Sequence, residues 1–155
     1  MQVFKFGGAS VKDAEGVINL GRIVSAHQQE ELVIVVSAMG KTTNLLEQLT
    51  SAYFHQTGHA SELLEQTKSY HSDIVKRLFP ANSHPVYNEV ANRFVEIEWI
   101  LEEDPADPYD YLYDQIVAVG ELVSTTIVCH YLNDAGLTSK WVDARDYILT
   151  DNTHR

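Results

Sequence analysis

The stretch VFKFGGAS, residues 3–10, opens the chain and decides the first part of its fold. It is a short apolar run that ends in two glycines, which is typical of a strand entering a turn, and Ser10 is expected to cap the helix that follows. The next apolar run is LVIVV at residues 32–36. It is mostly β-branched and lacks polar alternation, which predicts a strand buried on both faces of a parallel sheet. Val3 to Phe6 and Leu32 to Val36 are therefore expected to be parallel neighbours in a βαβ unit.

The middle of the chain is predicted to be mostly helical. After a polar turn at residues 37–43, helix is expected from near Asn44 to Asp104, with breaks at Gly58 and at residues 80–85. Residues 102–108 are acidic and contain proline, which indicates a solvated loop. An apolar stripe at helical spacing predicts a core-facing helix, and it consists of Val90, Phe94, Ile97 and Leu101.

The last part of the chain is predicted to hold two helices and a third strand. Residues 109–119 and 122–132 have helical patterns, with Gly120-Glu121 between them. Residues 133–136 form a turn with a glycine that ends a helix, and Lys140 to Ala144 fits a strand. The predicted fold class is α/β, with parallel strands in an incomplete sheet covered by many helices.

Composition excludes several classes of function. The formal net charge is −11, from 22 acidic and 11 basic residues, which opposes a broad nucleic-acid surface. A few local cations and backbone N–H groups can still bind a phosphate. No single apolar run reaches membrane-spanning length, the N-terminus lacks a signal-peptide pattern, and the one cysteine cannot form an internal disulfide. These features predict a cytoplasmic protein without membrane or nucleic-acid partners.

The first group of residues suited to chemistry is Lys5-Phe6-Gly7-Gly8-Ala9-Ser10. Glycine lets the backbone come close to an anion, and a lysine at a strand end places a positive charge near phosphate oxygens. The alternative is an ordinary tight turn after a strand, with Lys5 exposed to solvent. From this spacing alone both interpretations stay open.

The second group is the hydroxyl-rich segment SAMGKTTN, residues 37–44. Gly40-Lys41-Thr42 resembles the end of a P-loop, but that motif needs a glycine five positions earlier, where Val35 stands. A P-loop is therefore excluded. What remains is a turn at the carboxyl end of a strand that opens a helix, a place where α/β sheets bind ligands and helix N-termini favour anions. A capping turn without a ligand explains the same residues.

The third group is Gly120-Glu121 within an apolar stretch. A carboxylate among apolar neighbours is costly unless it is paired, so Glu121 is a candidate to bind the ammonium group of an amino-acid substrate. The alternative is a partly exposed carboxylate on a helix.

Taken in order, these segments resemble the aspartokinase family of the amino-acid kinase superfamily. That family opens with Lys-Phe-Gly-Gly-Thr-Ser-Val, and residues 5–11 here match it with Ala9 in place of threonine. A serine-rich turn ending in Thr-Asn-Leu-Leu matches residues 37–46, a Gly-Glu motif matches residues 120–121, and an Asp-Ala/Val-Arg segment matches residues 143–145. The resemblance covers the whole chain and implies a helix-rich amino-terminal lobe of a carbamate-kinase-like fold.

The resemblance also implies an activity and a set of site residues. The implied reaction is ATP-dependent phosphorylation of L-aspartate to 4-phospho-L-aspartate, the first step towards lysine, threonine and methionine. The parent protein is implied to be a homo-oligomer that binds aspartate and ATP. Mg-ATP is implied as a substrate, with no tightly bound cofactor and no metal ligand from the protein. Lys5 is the implied catalytic residue. Phosphate binding is implied for Lys5, Phe6, Gly7, Gly8 and Ser10, and aspartate binding for Ser37, Thr43 and Glu121.

The family pattern leads to an expectation about the extent of the chain. Family members carry a downstream Thr-Leu-Gly-Arg-Gly-Gly-Ser-Asp-like segment, a nucleotide-base pocket and regulatory ACT domains, and residues 1–155 contain no match to these. Residues 1–155 are therefore expected to be the amino-terminal portion of a kinase domain that is inactive by itself. Another superfamily kinase and a non-catalytic ligand-binding or assembly module remain alternatives, and fusion to homoserine dehydrogenase stays open.

Overall fold

Two parallel strands form the sheet in the part of the chain that the structure describes. The computed structural model describes residues 1–150, so the end of the predicted 1–155 domain lies outside the described residues. Strand β1 (Gln2–Phe6) pairs with β2 (Leu32–Val36) in a register that runs from Gln2 opposite Leu32 to Phe6 opposite Val36. Helix α1 (Ala14–Ser25) connects them. Both predicted strands and their parallel pairing are confirmed.

Burial of β2 on both faces is wrong for the described residues. Val33 and Val35 are 43% and 45% exposed, and Val3 on the neighbouring strand is 61% exposed. Strand side chains alternate between faces, so these valines share one face, while Ile34 and Val36 turn towards the helical core. An apolar run without polar alternation is compatible with burial of both faces of a strand. Each face is buried only if a layer of structure covers it, and the helices of residues 1–150 cover one face of this sheet.

Within residues 1–150, five α-helices follow the second strand. They are α2 (Thr42–Phe54), α3 (Ala60–Leu78), α4 (Val86–Leu101), α5 (Tyr109–Val117) and α6 (Val119–Asp134). The predicted breaks at Gly58 and residues 80–85, and the loop at residues 102–108, are confirmed. The predicted break at Gly120-Glu121 is wrong, because the helices separate at Ala118 and both residues lie in the first turn of α6. Gly136, at φ +79°, follows the end of α6 as predicted. The result is a helix-rich α/β fold.

The predicted third strand at Lys140 to Ala144 is wrong. This segment has no strand partner within residues 1–150, and a short 3-10 helix begins at Ala144. Its side chains attach it to the helices instead. The indole N–H of Trp141 donates to Thr125 Oγ1 at 2.9 Å, and the guanidinium of Arg93 lies 4.3 Å from the Trp141 ring centroid. An apolar, extended segment becomes a strand only where a neighbouring strand accepts its backbone hydrogen bonds.

The core is built around α6, which is buried on almost every side. The predicted stripe on α4 is confirmed as core, with Val90, Phe94 and Ile97 buried and Leu101 partly buried against them. Helices α5 and α6 follow each other with only Ala118 between them, and together, over residues 109–134, they are long and apolar enough to cross a membrane by length and composition. The most apolar window of this stretch is 61% buried against the rest of the fold, as expected for the core helix of a globular domain.

The cap of α1 differs from the prediction. Ser10 lies in a 3-10 helix (Gly8–Val11) and does not cap α1. Asp13 is the N-cap instead, and its side chain accepts a hydrogen bond of 2.8 Å from the backbone N–H of Gly16. The 3-10 turn moves the start of the helix three residues beyond the serine, so the next short polar side chain takes the capping position.

We predict that Asp13→Ala lowers the free energy of unfolding by about 1 kcal/mol, because it removes the side-chain acceptor at the N-cap. Ser10→Ala is the matched variant, and we expect it to leave stability within about 0.5 kcal/mol of the wild type. Urea unfolding followed by circular dichroism measures both values. A larger loss for Ser10→Ala than for Asp13→Ala would contradict this assignment of the cap.

Candidate functional site

The turns after β1 and β2 meet at one edge of the sheet. Because the strands are parallel neighbours, their carboxyl ends lie side by side. The backbone N–H of Ser37 donates to the carbonyl of Phe6 at 3.0 Å, and the N–H of Gly40 donates to the carbonyl of Gly8 at 3.0 Å. We call residues 7–11 the first loop and residues 37–41 the second loop. These two hydrogen bonds bring two of the three predicted groups of site residues together.

Gly8 is required by the contact between the loops. A Cβ built at this position would lie 2.5 Å from the carbonyl oxygen of Ala38 and 3.2 Å from that of Gly40. No side chain fits there without moving backbone. Gly8 thus allows the backbones of the two loops to pack closely against each other. This structural role is additional to the predicted contact of Gly8 with a phosphate.

The ammonium group of Lys5 lies over the first loop. Its side chain is on the exposed face of β1, and a Cβ built on Gly7 would lie 3.5 Å from its Nζ. Within residues 1–150, Lys5 forms no ion pair. Ser10 is exposed in the same loop, and its backbone N–H donates to the carbonyl of Gly7 at 2.8 Å. The positive charge of Lys5 is therefore placed beside the glycine turn, and no carboxylate from the described part of the chain neutralises it.

Glu121 joins the third predicted group to the second loop. It lies half-buried in the first turn of α6, and its Oε1 accepts the backbone N–H of Ala38 at 3.1 Å. Among the described residues, Oε2 has no hydrogen-bond partner. The carboxylate is thus half-buried on a helix and already paired with a backbone N–H. The bond to Ala38 orients it and leaves one oxygen for another donor.

The structure separates the two threonines of the second group. Thr43 and Ser37, the predicted aspartate-binding residues, are both half-buried, the former in the first turn of α2 and the latter at the end of β2. Thr42 is buried and faces inward, where its hydroxyl donates to the carbonyl of Met39 at 2.6 Å. Thr42 therefore holds the second loop closed, while Thr43 and Ser37 keep part of their surface accessible.

His71 is a residue of this region that the sequence analysis missed. It is fully buried on α3, with Nδ1 at 2.8 Å from the carbonyl of Thr67 and Nε2 at 3.3 Å from the hydroxyl of Thr42. Burial lowers the pKa of His71 to about 4, although the Thr67 carbonyl opposes this shift, so the ring is neutral at pH 7. Leu64, Thr67 and His71 repeat at helical spacing, and that pattern would have placed His71 on the buried face of α3.

The Asp143–Arg145 segment, which matches the last family motif, pairs with itself. Nε of Arg145 donates to both carboxylate oxygens of Asp143 at 3.0 Å, and its NH2 nitrogen donates to Oδ2 at 2.7 Å. This guanidinium holds the pKa of Asp143 below its usual value. The segment reaches α6 through the Trp141–Thr125 hydrogen bond, one turn beyond Glu121.

Within residues 1–150, no group of three or more His, Cys, Asp or Glu side chains is placed to hold a metal ion.

Comparison with known proteins identifies the class to which this fold and site belong. The model of the amino acid kinase family matches residues 1–155, and the chain belongs to that family. Within it, the chain is similar to aspartokinases. It is 31% identical to the aspartokinase of Chlamydia trachomatis serovar D and 35% identical to aspartokinase 1, chloroplastic, of Arabidopsis thaliana. Each alignment covers 97% of this chain, and 32% and 27% of the respective relatives.

Solved structures agree with the sequence comparison. Crystal structures of Escherichia coli aspartokinase III, one in complex with lysine and aspartate (T-state) and one with aspartate and ADP (R-state), each superpose with a TM-score of 0.79 at 29% identity. The match covers 92% of this chain and 31% of either neighbour. The resemblance found in the sequence is confirmed, and the chain spans about a third of the length of the curated relatives it matches.

We predict that His71 makes the stability of this protein sensitive to acid. The folded pKa is about 4, whereas an unperturbed histidine titrates near 6.5, so the unfolded state binds more protons between these values. The contribution of neutral His71 to the free energy of unfolding is present in full above pH 6.5. It is lost as pH falls towards 4, and the loss is about 3 kcal/mol at most. Urea unfolding at pH 7.5, 6, 5 and 4 measures this loss.

His71→Gln is expected to flatten this pH dependence, since glutamine does not titrate. The matched control is His59→Gln, which replaces a solvent-exposed histidine and should keep the wild-type profile. Parallel profiles for the wild type and His71→Gln would show that His71 is not the group responsible.

Proposed function

We propose that this chain carries the phosphate-binding and aspartate-binding elements of an aspartate kinase. The observation that carries the proposal is the meeting of three groups at one pair of loops: the Lys5 ammonium, the Gly8 turn and the Glu121 carboxylate. These groups match the charges of the two substrates, a polyphosphate and an amino acid. The similarity to aspartokinases, one of them solved with aspartate and ADP, supports the same assignment.

In the proposed reaction, aspartate attacks ATP with its side-chain carboxylate. A carboxylate oxygen forms a bond to the γ-phosphorus, the bond from that phosphorus to the β–γ bridging oxygen breaks, and ADP leaves with the electron pair. The products are 4-phospho-L-aspartate and ADP. The nucleophile is already an anion, so no general base is needed. Catalysis then depends on positioning the reactants and neutralising charge on the transferring group.

The first loop is the proposed phosphate site. Lys5 neutralises the charge that develops on the γ-phosphoryl oxygens, and no carboxylate among the described residues competes for it. Gly7 and Gly8 let phosphate oxygens approach the backbone, and the exposed hydroxyl of Ser10 supplies a donor. The Phe6 carbonyl accepts a hydrogen bond from the backbone N–H of Ser37, which holds the start of the first loop beside the second loop. ATP enters as its magnesium complex and brings the metal with it.

The second loop and α6 form the proposed aspartate site. Ser37 and Thr43 supply hydroxyl groups beside the strand end, and the first turn of α2 favours an anion there. Oε2 of Glu121 receives the substrate ammonium, while Oε1 stays bonded to Ala38. Glu121 thus has two roles in the proposal: it binds the substrate, and it anchors the loop that carries Ser37.

A different amino-acid kinase of the same family is the alternative, because phosphate binding by the first loop does not depend on the acceptor. Glu121 fits any acceptor with a free α-ammonium group, so aspartate and glutamate differ only in chain length at this site, whereas acetylglutamate and nucleoside monophosphates lack the group that pairs with Glu121. An ADP-release assay of the full-length protein with aspartate, glutamate, acetylglutamate and nucleoside monophosphates separates these cases. Turnover with aspartate alone supports the proposal, and turnover with another acceptor alone overturns it.

We predict that Lys5→Ala in the full-length protein lowers kcat by about 100-fold or more and changes the KM for aspartate little. The reason is that the ammonium acts mainly on charge that appears in the transition state, worth on the order of 3 kcal/mol. Steady-state kinetics measure both constants. The control is Lys140→Ala, which removes an exposed lysine outside the two loops. A kcat near the wild-type value would remove Lys5 from catalysis.

We predict that Glu121→Gln weakens aspartate binding by about tenfold or more and leaves ATP affinity nearly unchanged. Glutamine keeps an oxygen that can accept from Ala38 but loses the charge that pairs with the substrate ammonium. Calorimetry with each ligand measures the two affinities. The matched control is Glu47→Gln, because Glu47 also accepts a hydrogen bond on a helix, from the Tyr113 hydroxyl. Equal aspartate affinities in wild type and Glu121→Gln would refute the assignment.

A further inference from the structure

Tyr70 on α3 contacts the second loop of the candidate site and the residue that directly follows the first loop. Its hydroxyl donates a hydrogen bond to the carbonyl of Lys12, directly after the first loop. The same hydroxyl lies against Gly40 in the second loop, since a Cβ built on Gly40 would be 2.5 Å from the Tyr70 oxygen. One side chain therefore touches Lys12, which directly follows the first loop, and Gly40 in the second loop.

Gly40 is the residue through which the two loops are joined. Its φ is +57°, a conformation that glycine adopts without strain, and its N–H donates to Gly8 at 3.0 Å. The Tyr70 ring covers the face of Gly40 where any other residue would carry Cβ. The conformation that aims this N–H at Gly8 is thus supported from the side by Tyr70.

The neighbouring residue of α3 anchors the other end of the second loop. Buried His71 contacts the Thr42 hydroxyl, which donates to Met39, and the rings of Tyr70 and His71 pack edge to face with centroids 5.0 Å apart. Two consecutive residues of one helix therefore contact Lys12 after the first loop, Gly40 in the second loop and Thr42 directly after it. Burial, with a smaller effect of Asp13, raises the pKa of Tyr70, so its hydroxyl keeps its proton at neutral pH.

We propose that Tyr70, supported by His71, is a positioning residue that holds the two loops in register. In this role it sets the separation between the proposed phosphate site at Gly7 and Gly8 and the proposed aspartate site at Ser37. The consequence for catalysis rests on the proposed function, whereas the holding of the loops does not. Tyr70 touches neither substrate in this account, and it acts through Lys12 and Gly40.

Tyr70→Phe tests the proposal because it removes the hydroxyl and keeps the ring. The matched control is Tyr87→Phe, in which a half-buried tyrosine loses an equivalent bond to a backbone carbonyl, that of Phe79 at 2.8 Å, away from the loops. Amide hydrogen exchange of the 155-residue chain is measured at Gly40, with Ser37 as the internal reference. We expect exchange at Gly40 to become about fivefold faster in Tyr70→Phe and to stay unchanged in Tyr87→Phe.

A packing role alone would give a different result. If Tyr70 contributes only to general stability, both variants lower the free energy of unfolding and Gly40 exchanges no faster than the rest of the sheet edge. That outcome, or an unchanged rate at Gly40, overturns the proposal.

Kinetics of the full-length protein test the consequence for catalysis. We expect Tyr70→Phe to lower kcat about fivefold with both KM values near those of the wild type, and Tyr87→Phe to leave kcat unchanged. An unchanged kcat in Tyr70→Phe, together with faster exchange at Gly40, overturns the positioning role in catalysis. Absence of aspartate-dependent turnover in the wild type would instead count against the proposed function, and the exchange measurement then decides the holding of the loops by itself.

Discussion

The parallel pairing of β1 with β2 is the constraint on which the rest of the structure depends. Parallel strands cannot be joined by a tight turn, so the chain must cross over through α1 before the second strand begins. The same pairing places both carboxyl ends at one edge, where the first and second loops are hydrogen-bonded to each other. The positions of Lys5, Gly8 and Ser37 follow from that edge, and α6 completes the arrangement by bringing Glu121 to Ala38.

The sequence predicted the features that depend on local pattern. The strands, most of the helices and the core stripe on α4 were found because apolar spacing and glycine or proline breaks report on neighbouring residues. The strand predicted at Lys140 to Ala144 failed because a strand is defined by its partner, and Trp141 binds Thr125 on a helix instead. The helix break was displaced from Gly120-Glu121 to Ala118 because packing around α6 overrides the low helix propensity of one glycine.

The candidate site likewise contains parts that local sequence pattern predicts and parts that it does not predict. The glycine turn and the hydroxyl-rich segment are contiguous in sequence, and their residue types alone indicate an anion site. The bond from Glu121 to Ala38 and the contact of His71 with Thr42 span 83 and 29 residues, and no local pattern indicates which residue meets which. Lys5 has no acidic partner among the described residues, although the net charge of the chain is −11. Net charge does not predict this, because it depends on where the carboxylates lie in three dimensions.

The span between Ala38 and Glu121 has a consequence for the order of folding. Bringing together residues 83 positions apart costs more chain entropy than closing a helical turn, so such a contact forms after the local structure that shortens the intervening chain. Helices α2 to α5 lie between the two residues, and each of them that forms early shortens the chain that must be closed. We therefore expect the anchoring of the second loop by Glu121 to be a late step of folding, after the local turn at Gly7 and Gly8 has formed.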